Sequence, residues 1–87
     1  MPVQFYYVYI LLSIRDKKFY IGLTNDLKRR LSEHKQGKNV STAKRLPVKL
    51  IFYESFISEK DARRREKYFK TTKGKKTIRL MFPLTLI

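Results

Sequence analysis

With 87 residues, 43% of them hydrophobic, the chain from 1 to 87 is expected to build one marginally stable core and no second domain. Its 21 Lys and Arg against 7 Asp and Glu leave a net charge of +14, far beyond what solubility needs. That excess implies a polyanionic partner, nucleic acid first and an anionic membrane surface second, while the lack of Cys and the single His exclude disulfides, a thiolate nucleophile and a multi-histidine metal centre within one chain.

In chain order, Phe5 to Leu12 is an aromatic and β-branched run, too short for a convincing helix, and predicts a buried strand. It is also too short to cross a bilayer, which takes about 20 residues, and no basic segment with a cleavage site precedes it, so a cytoplasmic location is expected. Ser13 to Lys17 reads as a polar turn and Lys18 to Gly22 as the return strand of an antiparallel hairpin. Thr24, Asn25 and Asp26 are N-cap candidates for a helix running to about Gln36, with Leu27 and Leu31 on its apolar side and Gly37 as C-cap. Lys38 to Arg45 reads as a basic loop. Pro47 opens a third strand, Val48 to Phe56. Ser58 to Asp61 resembles a capping box for a second helix, expected to reach about Thr72 and to be broken by Gly74. Lys75 to Met81 adds a last helical turn or two, and the apolar tail Phe82 to Ile87 would cover the core or another subunit. The order β-β-α-β-α(-α) defines an α+β fold, a three-stranded antiparallel sheet flanked by helices.

The residues suited to chemistry cluster around the hairpin and the first helix. Tyr9 and Tyr20 fall on its two strands, ten residues apart, about the spacing that sets two strand positions side by side. Taken singly, each is most simply an amphipathic core tyrosine with its hydroxyl at the rim. Nearby cationic charge would favour the phenolate form. Arg30 lies beside the Leu27/Leu31 stripe; its planar fork suits two phosphate oxygens, whereas a solvated helix cation is the plainer reading. His34, one turn later, suits a base or a phosphate ligand, or simply a surface or capping group. Glu66 shares a helix face with Ala62, Arg65 and Phe69. It reads either as a local ion pair with Arg63 or Lys70, or as an inward carboxylate able to hold one Mg²⁺ that keeps most of its waters. Glu54 is a second, lower-ranked acid.

The elements Tyr7-Val8-Tyr9 and, ten residues on, Tyr20-Ile21-Gly22, with Arg30 eight after the glycine and Glu66 late in a helix, together resemble the GIY-YIG nuclease domain. The likeness covers Phe5 to Arg79 and is strongest to small stand-alone bacterial members; the same domain occurs at the N-terminus of the excision-repair nuclease UvrC. The resemblance implies an endonuclease that hydrolyses DNA phosphodiesters by a one-metal mechanism. Tyr9 would activate the attacking water, Tyr20 position the phosphate, Arg30 stabilise the pentacovalent phosphate and His34 assist near the nucleophile. Glu66 would hold a single, weakly bound Mg²⁺ or Mn²⁺. Tyr7, Val8, Ile21 and Gly22 form the structural motif, with Gly22 permitting close packing at the start of the helix. Arg29, Lys38, Ser41, Thr42, Lys44, Arg45, Arg63, Lys70 and Lys73 are the expected nucleic-acid contacts. Implied partners are DNA, branched or damaged DNA included and RNA left open, and a protein that supplies specificity; repair is the implied setting, with no membrane and a monomer or homodimer. Tyr7 replaces the first glycine of the family's motif, and Leu23 stands where repair-type members carry lysine. The alternative is a catalytically silent nucleic-acid-binding module of the same fold.

Overall fold

A computed structural model describes residues 3–85. The elements are β1 (Tyr6–Ser13), β2 (Phe19–Thr24), α1 (Leu27–Lys35), α2 (Val40–Ala43), β3 (Val48–Phe56), α3 (Glu59–Lys70) and α4 (Thr72–Met81). The sheet has the order β2-β1-β3 with both pairs antiparallel, so the first strand in sequence is the central one. This is the expected α+β architecture.

Burial on both faces explains why β1 reads as an unbroken apolar run instead of an alternation. Val8 and Ile10 join Ile21 of β2 with Ala62, Phe69 and Ile78 of α3 and α4 in the main core. The intervening residues Tyr7, Tyr9 and Leu11 point the other way, towards α1. Asp26 caps α1 by accepting from the Arg29 amide, and Ser58 caps α3 by accepting from the Asp61 amide. Gly37 (φ 74°) closes α1 in the left-handed conformation, its N–H donating to the His34 carbonyl at 3.1 Å.

Three boundaries differ from the sequence reading. The basic stretch Lys38 to Arg45 contains the short helix α2, initiated by Asn39, whose side chain accepts from the Ser41 amide at 2.9 Å. Helix α3 stops at Lys70, because Thr71 is extended; its hydroxyl donates to the Tyr68 carbonyl and accepts from the Gly74 amide, starting α4 at once. Gly74 therefore lies inside α4 and does not break α3. A Cβ there would sit 1.9 Å from the Tyr68 carbonyl oxygen, so glycine lets the two helices meet backbone to backbone. Of the apolar tail, Phe82 packs on Phe52 with ring centroids 5.5 Å apart and Leu84 is exposed; residues 86–87 lie outside the described range.

Candidate active site

Antiparallel register decides which side chains meet. Tyr9 stands opposite Gly22, and Leu11 opposite Tyr20, so Tyr9 and Tyr20 are diagonal neighbours on one face, not directly paired. Their ring centroids are 6.3 Å apart. His34, projecting from the last turn of α1, completes the triangle at 5.7 Å from the Tyr9 ring and 5.1 Å from that of Tyr20.

Gly22 is the reason the triangle closes. A Cβ at this position would lie 2.2 Å from Tyr9 Cζ and 2.3 Å from its hydroxyl oxygen. The close packing expected of Gly22 is thus against the tyrosine ring across the strand pair, and β2 runs on past it to Thr24.

The Tyr9 hydroxyl is hydrogen-bonded to His34 Nε2 at 2.9 Å, and His34 Nδ1 to Thr42 Oγ1 at 2.7 Å. A neutral imidazole has one donor and one acceptor nitrogen, and hydroxyls can play either part, so both ring nitrogens are satisfied. All three residues are fully buried. This placement corrects the reading of Thr42 as a nucleic-acid contact. It has no exposed surface, and its hydroxyl is committed to orienting the histidine.

The electrostatics of the cluster follow from that burial. Desolvation, reinforced by Tyr20 and Glu66, pushes the Tyr9 hydroxyl well above the ordinary phenol value; the opposing pull of Arg30 is smaller. Arg30 pulls towards the phenolate, as expected from sequence, but burial outweighs it. His34 is held below its ordinary value of 6.5, chiefly by burial and then by Arg30, with Glu33 acting weakly the other way. Both groups are neutral at pH 7.

Arg30 borders the cluster from α1, its charge felt by both Tyr9 and His34. Its Nε is buried with no hydrogen-bond partner, and lies 3.7 Å from the Glu33 carboxylate, beyond hydrogen-bonding range. A guanidinium left short of acceptors is ready for an anion. Glu66 reaches the same neighbourhood from α3; its carboxylate pairs with Lys70 at 3.3 Å and is largely shielded. Glu54 is neutralised by Arg65 at 2.5 Å, which leaves Glu66 as the less committed acid. Among the described residues no group of three or more His, Asp or Glu could enclose a metal.

The remaining predicted contacts are scattered. Arg29, Lys38, Ser41, Lys44 and Lys73 are exposed. Arg63 is tied to Glu59 at 2.5 Å and Lys70 to Glu66, while Arg45 is half-buried beside Asp16. Asn39 signals the start of α2 in the sequence, but the role of Thr42 emerges only when α2 folds against α1.

A three-stranded antiparallel sheet gathers two strand tyrosines over a glycine, with a helical arginine and histidine beside them, as the resemblance to a GIY-YIG catalytic domain implies. A family model of that description matches residues 5–79, and the chain belongs to this nuclease family. Within it, the chain is 46% identical over 68 residues to a UPF0213 protein of Streptococcus pneumoniae, covering 77% of this chain and 68% of the relative. It is 42% identical over 74 residues to UPF0213 protein YazA of Bacillus subtilis, covering 84% and 72%. The solution NMR structure of a UPF0213 protein from Bacillus halodurans shares the fold with a TM-score of 0.56 and 33% identity, over 92% of this chain and 85% of that one. No helix of the described residues is long and apolar enough to cross a membrane.

Proposed function

We propose that the protein is a metal-dependent endonuclease that hydrolyses DNA phosphodiester bonds at the cluster of Tyr9, Tyr20, Arg30, His34 and Glu66. The observation that carries this reading is the buried hydrogen-bonded line from Tyr9 through His34 to Thr42. With Nδ1–H donated to Thr42, His34 presents the lone pair of Nε2 to the Tyr9 hydroxyl. Tyr9 then acts as a relay, not as a standing base. As its oxygen takes a proton from the attacking water, its own proton passes to His34, which is neutral at pH 7 and able to accept it. The hydroxide so formed attacks phosphorus. Arg30 forks the non-bridging oxygens with its planar guanidinium, whose Nε has no hydrogen-bond partner, and Tyr20 fixes the phosphate against the sheet.

Glu66 would hold Mg²⁺ or Mn²⁺, and the donor set fits. A single hard carboxylate suits an ion that keeps most of its waters and takes substrate phosphate oxygens. When bound, the ion supplies Lewis-acid stabilisation of charge on the phosphate and the leaving oxygen. Displacement of Lys70 from Glu66 frees the carboxylate for this role.

The test uses supercoiled plasmid and branched DNA with Mg²⁺ or Mn²⁺, comparing wild type with Tyr9→Phe, Arg30→Ala and Glu66→Gln. Nicking should vanish with EDTA and fall by about 10²-fold or more in each variant. DNA binding measured in EDTA should survive Tyr9→Phe. A wild type that binds DNA but cuts no substrate would leave a binding module, and variants that cut like wild type would refute the assigned roles.

A further inference from the structure

At the turn end of the β1–β2 hairpin lies a second concavity, about 410 Å³ in volume, lined by Lys17, Lys18, Phe19, Arg45, Lys75 and Arg79. Three separate segments contribute to it. Lys17 and Lys18 come from the hairpin turn, Arg45 from the chain just after α2, and Lys75 and Arg79 from successive turns of α4. Five cations and no carboxylate form its walls. Asp16, just outside, approaches Arg45 Nε at 3.4 Å and offsets one charge. Among the described residues, the side chains of Lys17, Lys18, Lys75 and Arg79 form no ion pair, although the Lys18 amide donates to Asp16 Oδ1 at 3.0 Å.

Convergence of like charge in a concavity is unfavourable in the free protein, so an anion is its natural occupant. Packing does not account for these residues. Lys17, Lys18, Lys75 and Arg79 are exposed, and the Arg79 guanidinium lies 5.7 Å from the Phe19 ring centroid. Arg45 is anchored instead: Nη2 donates to the Phe19 carbonyl at 3.3 Å, while its Nε is buried without a hydrogen-bond partner. Its fork is thus held in place at the pocket wall.

The pocket adjoins the candidate active site. Phe19 precedes Tyr20 on β2 and stands three residues before Gly22, roughly 10 Å along the strand. On a duplex whose axis lay along β2, phosphates of one strand would advance by roughly 3.4 Å per nucleotide, so the span corresponds to about three nucleotides. We infer that the pocket is a second phosphate site, which seats the backbone of the bound nucleic acid a few nucleotides from the scissile phosphate. The inference rests on the proposed nucleic-acid substrate, and the two sites together would fix the register of the strand across β2.

The experiment measures binding of a fluorescent duplex oligonucleotide by anisotropy, in EDTA, between about 50 and 200 mM salt. Wild type is compared with Lys75→Ala/Arg79→Ala and with Lys60→Ala/Lys67→Ala, which removes the same charge from exposed positions of α3. The pocket pair should reduce the slope of log affinity against log salt by about 2, and the α3 pair should leave it near the wild-type value. An unchanged slope for the pocket pair, or an equal fall for both pairs, overturns the inference. A wild type that does not bind the oligonucleotide overturns the nucleic-acid reading itself, and the pocket with it. Loss of cleavage alone moves neither result, because EDTA removes cleavage from the measurement.

Discussion

Replacing Gly22 with alanine isolates the contact that closes the Tyr9–Tyr20–His34 triangle. The backbone of Gly22 is ordinary strand, so by conformational entropy alone alanine should stabilise by about 0.4–1 kcal/mol. Against this, the new methyl would meet Tyr9 Cζ, its hydroxyl oxygen and Cε1 at 2.2, 2.3 and 2.6 Å. Tyr9 cannot step aside freely, being 1% exposed and bonded to His34. Overpacking of that kind costs about 1–3 kcal/mol, and losing the hydrogen bond while His34 stays buried adds about 1–3 more. The clash therefore wins. We expect a net loss of about 1–6 kcal/mol, or a fall in Tm on the order of 5–45 °C. Urea and thermal unfolding measure it directly, and a double-mutant cycle assigns it. In a Tyr9→Leu background, whose side chain ends short of the glycine, the cost of Gly22→Ala should vanish. A Gly22→Ala protein as stable as wild type, or an equal cost in both backgrounds, would refute the reasoning.

Two further outcomes follow from the buried line behind Tyr9. Thr42→Val keeps the shape but strips the partner from His34 Nδ1, so it should lower stability by about 1–3 kcal/mol in urea unfolding while leaving oligonucleotide affinity unchanged at fixed salt. His34 binds its proton more weakly in the folded state than in the unfolded chain, where it titrates near 6.5. Its contribution to stability is therefore complete above pH 6.5 and is lost as pH falls from there through the depressed folded-state value; denaturation midpoints between about pH 7.5 and about pH 5 should drop more for wild type than for His34→Asn.

Most of the architecture was legible because local signals agreed with the fold. The aromatic run of β1, the polar turn before β2, the caps at Asp26 and Ser58 and the left-handed Gly37 all act within a few residues. Spacing along a hairpin and one helix face suggests that Tyr9, Tyr20, Arg30 and His34 could meet, but their assignment to one site comes from the resemblance to the GIY-YIG domain. What escaped depends on contacts between distant segments. Thr42 looks like any hydroxyl in a basic stretch until α2 folds onto α1. Gly74 looks like a breaker until α3 and α4 are seen to touch through it. For Tyr9, sequence displays neighbouring charge but not depth, and burial outweighs the Arg30 charge.

The central strand carries one last implication. Val8 and Ile10 serve the hydrophobic interior on one side, while Tyr7, Tyr9 and Leu11 serve the opposite face. Chemistry and cohesion are thus written in alternate letters of a single word. A single-residue insertion or deletion between Leu11 and the hairpin turn, with the turn held in place, would transpose the two messages, sending phenols into the apolar layer and aliphatics towards His34. Such a change could not weaken activity while sparing the fold, or the reverse. The strand's parity makes candidate site and scaffold one inheritable unit.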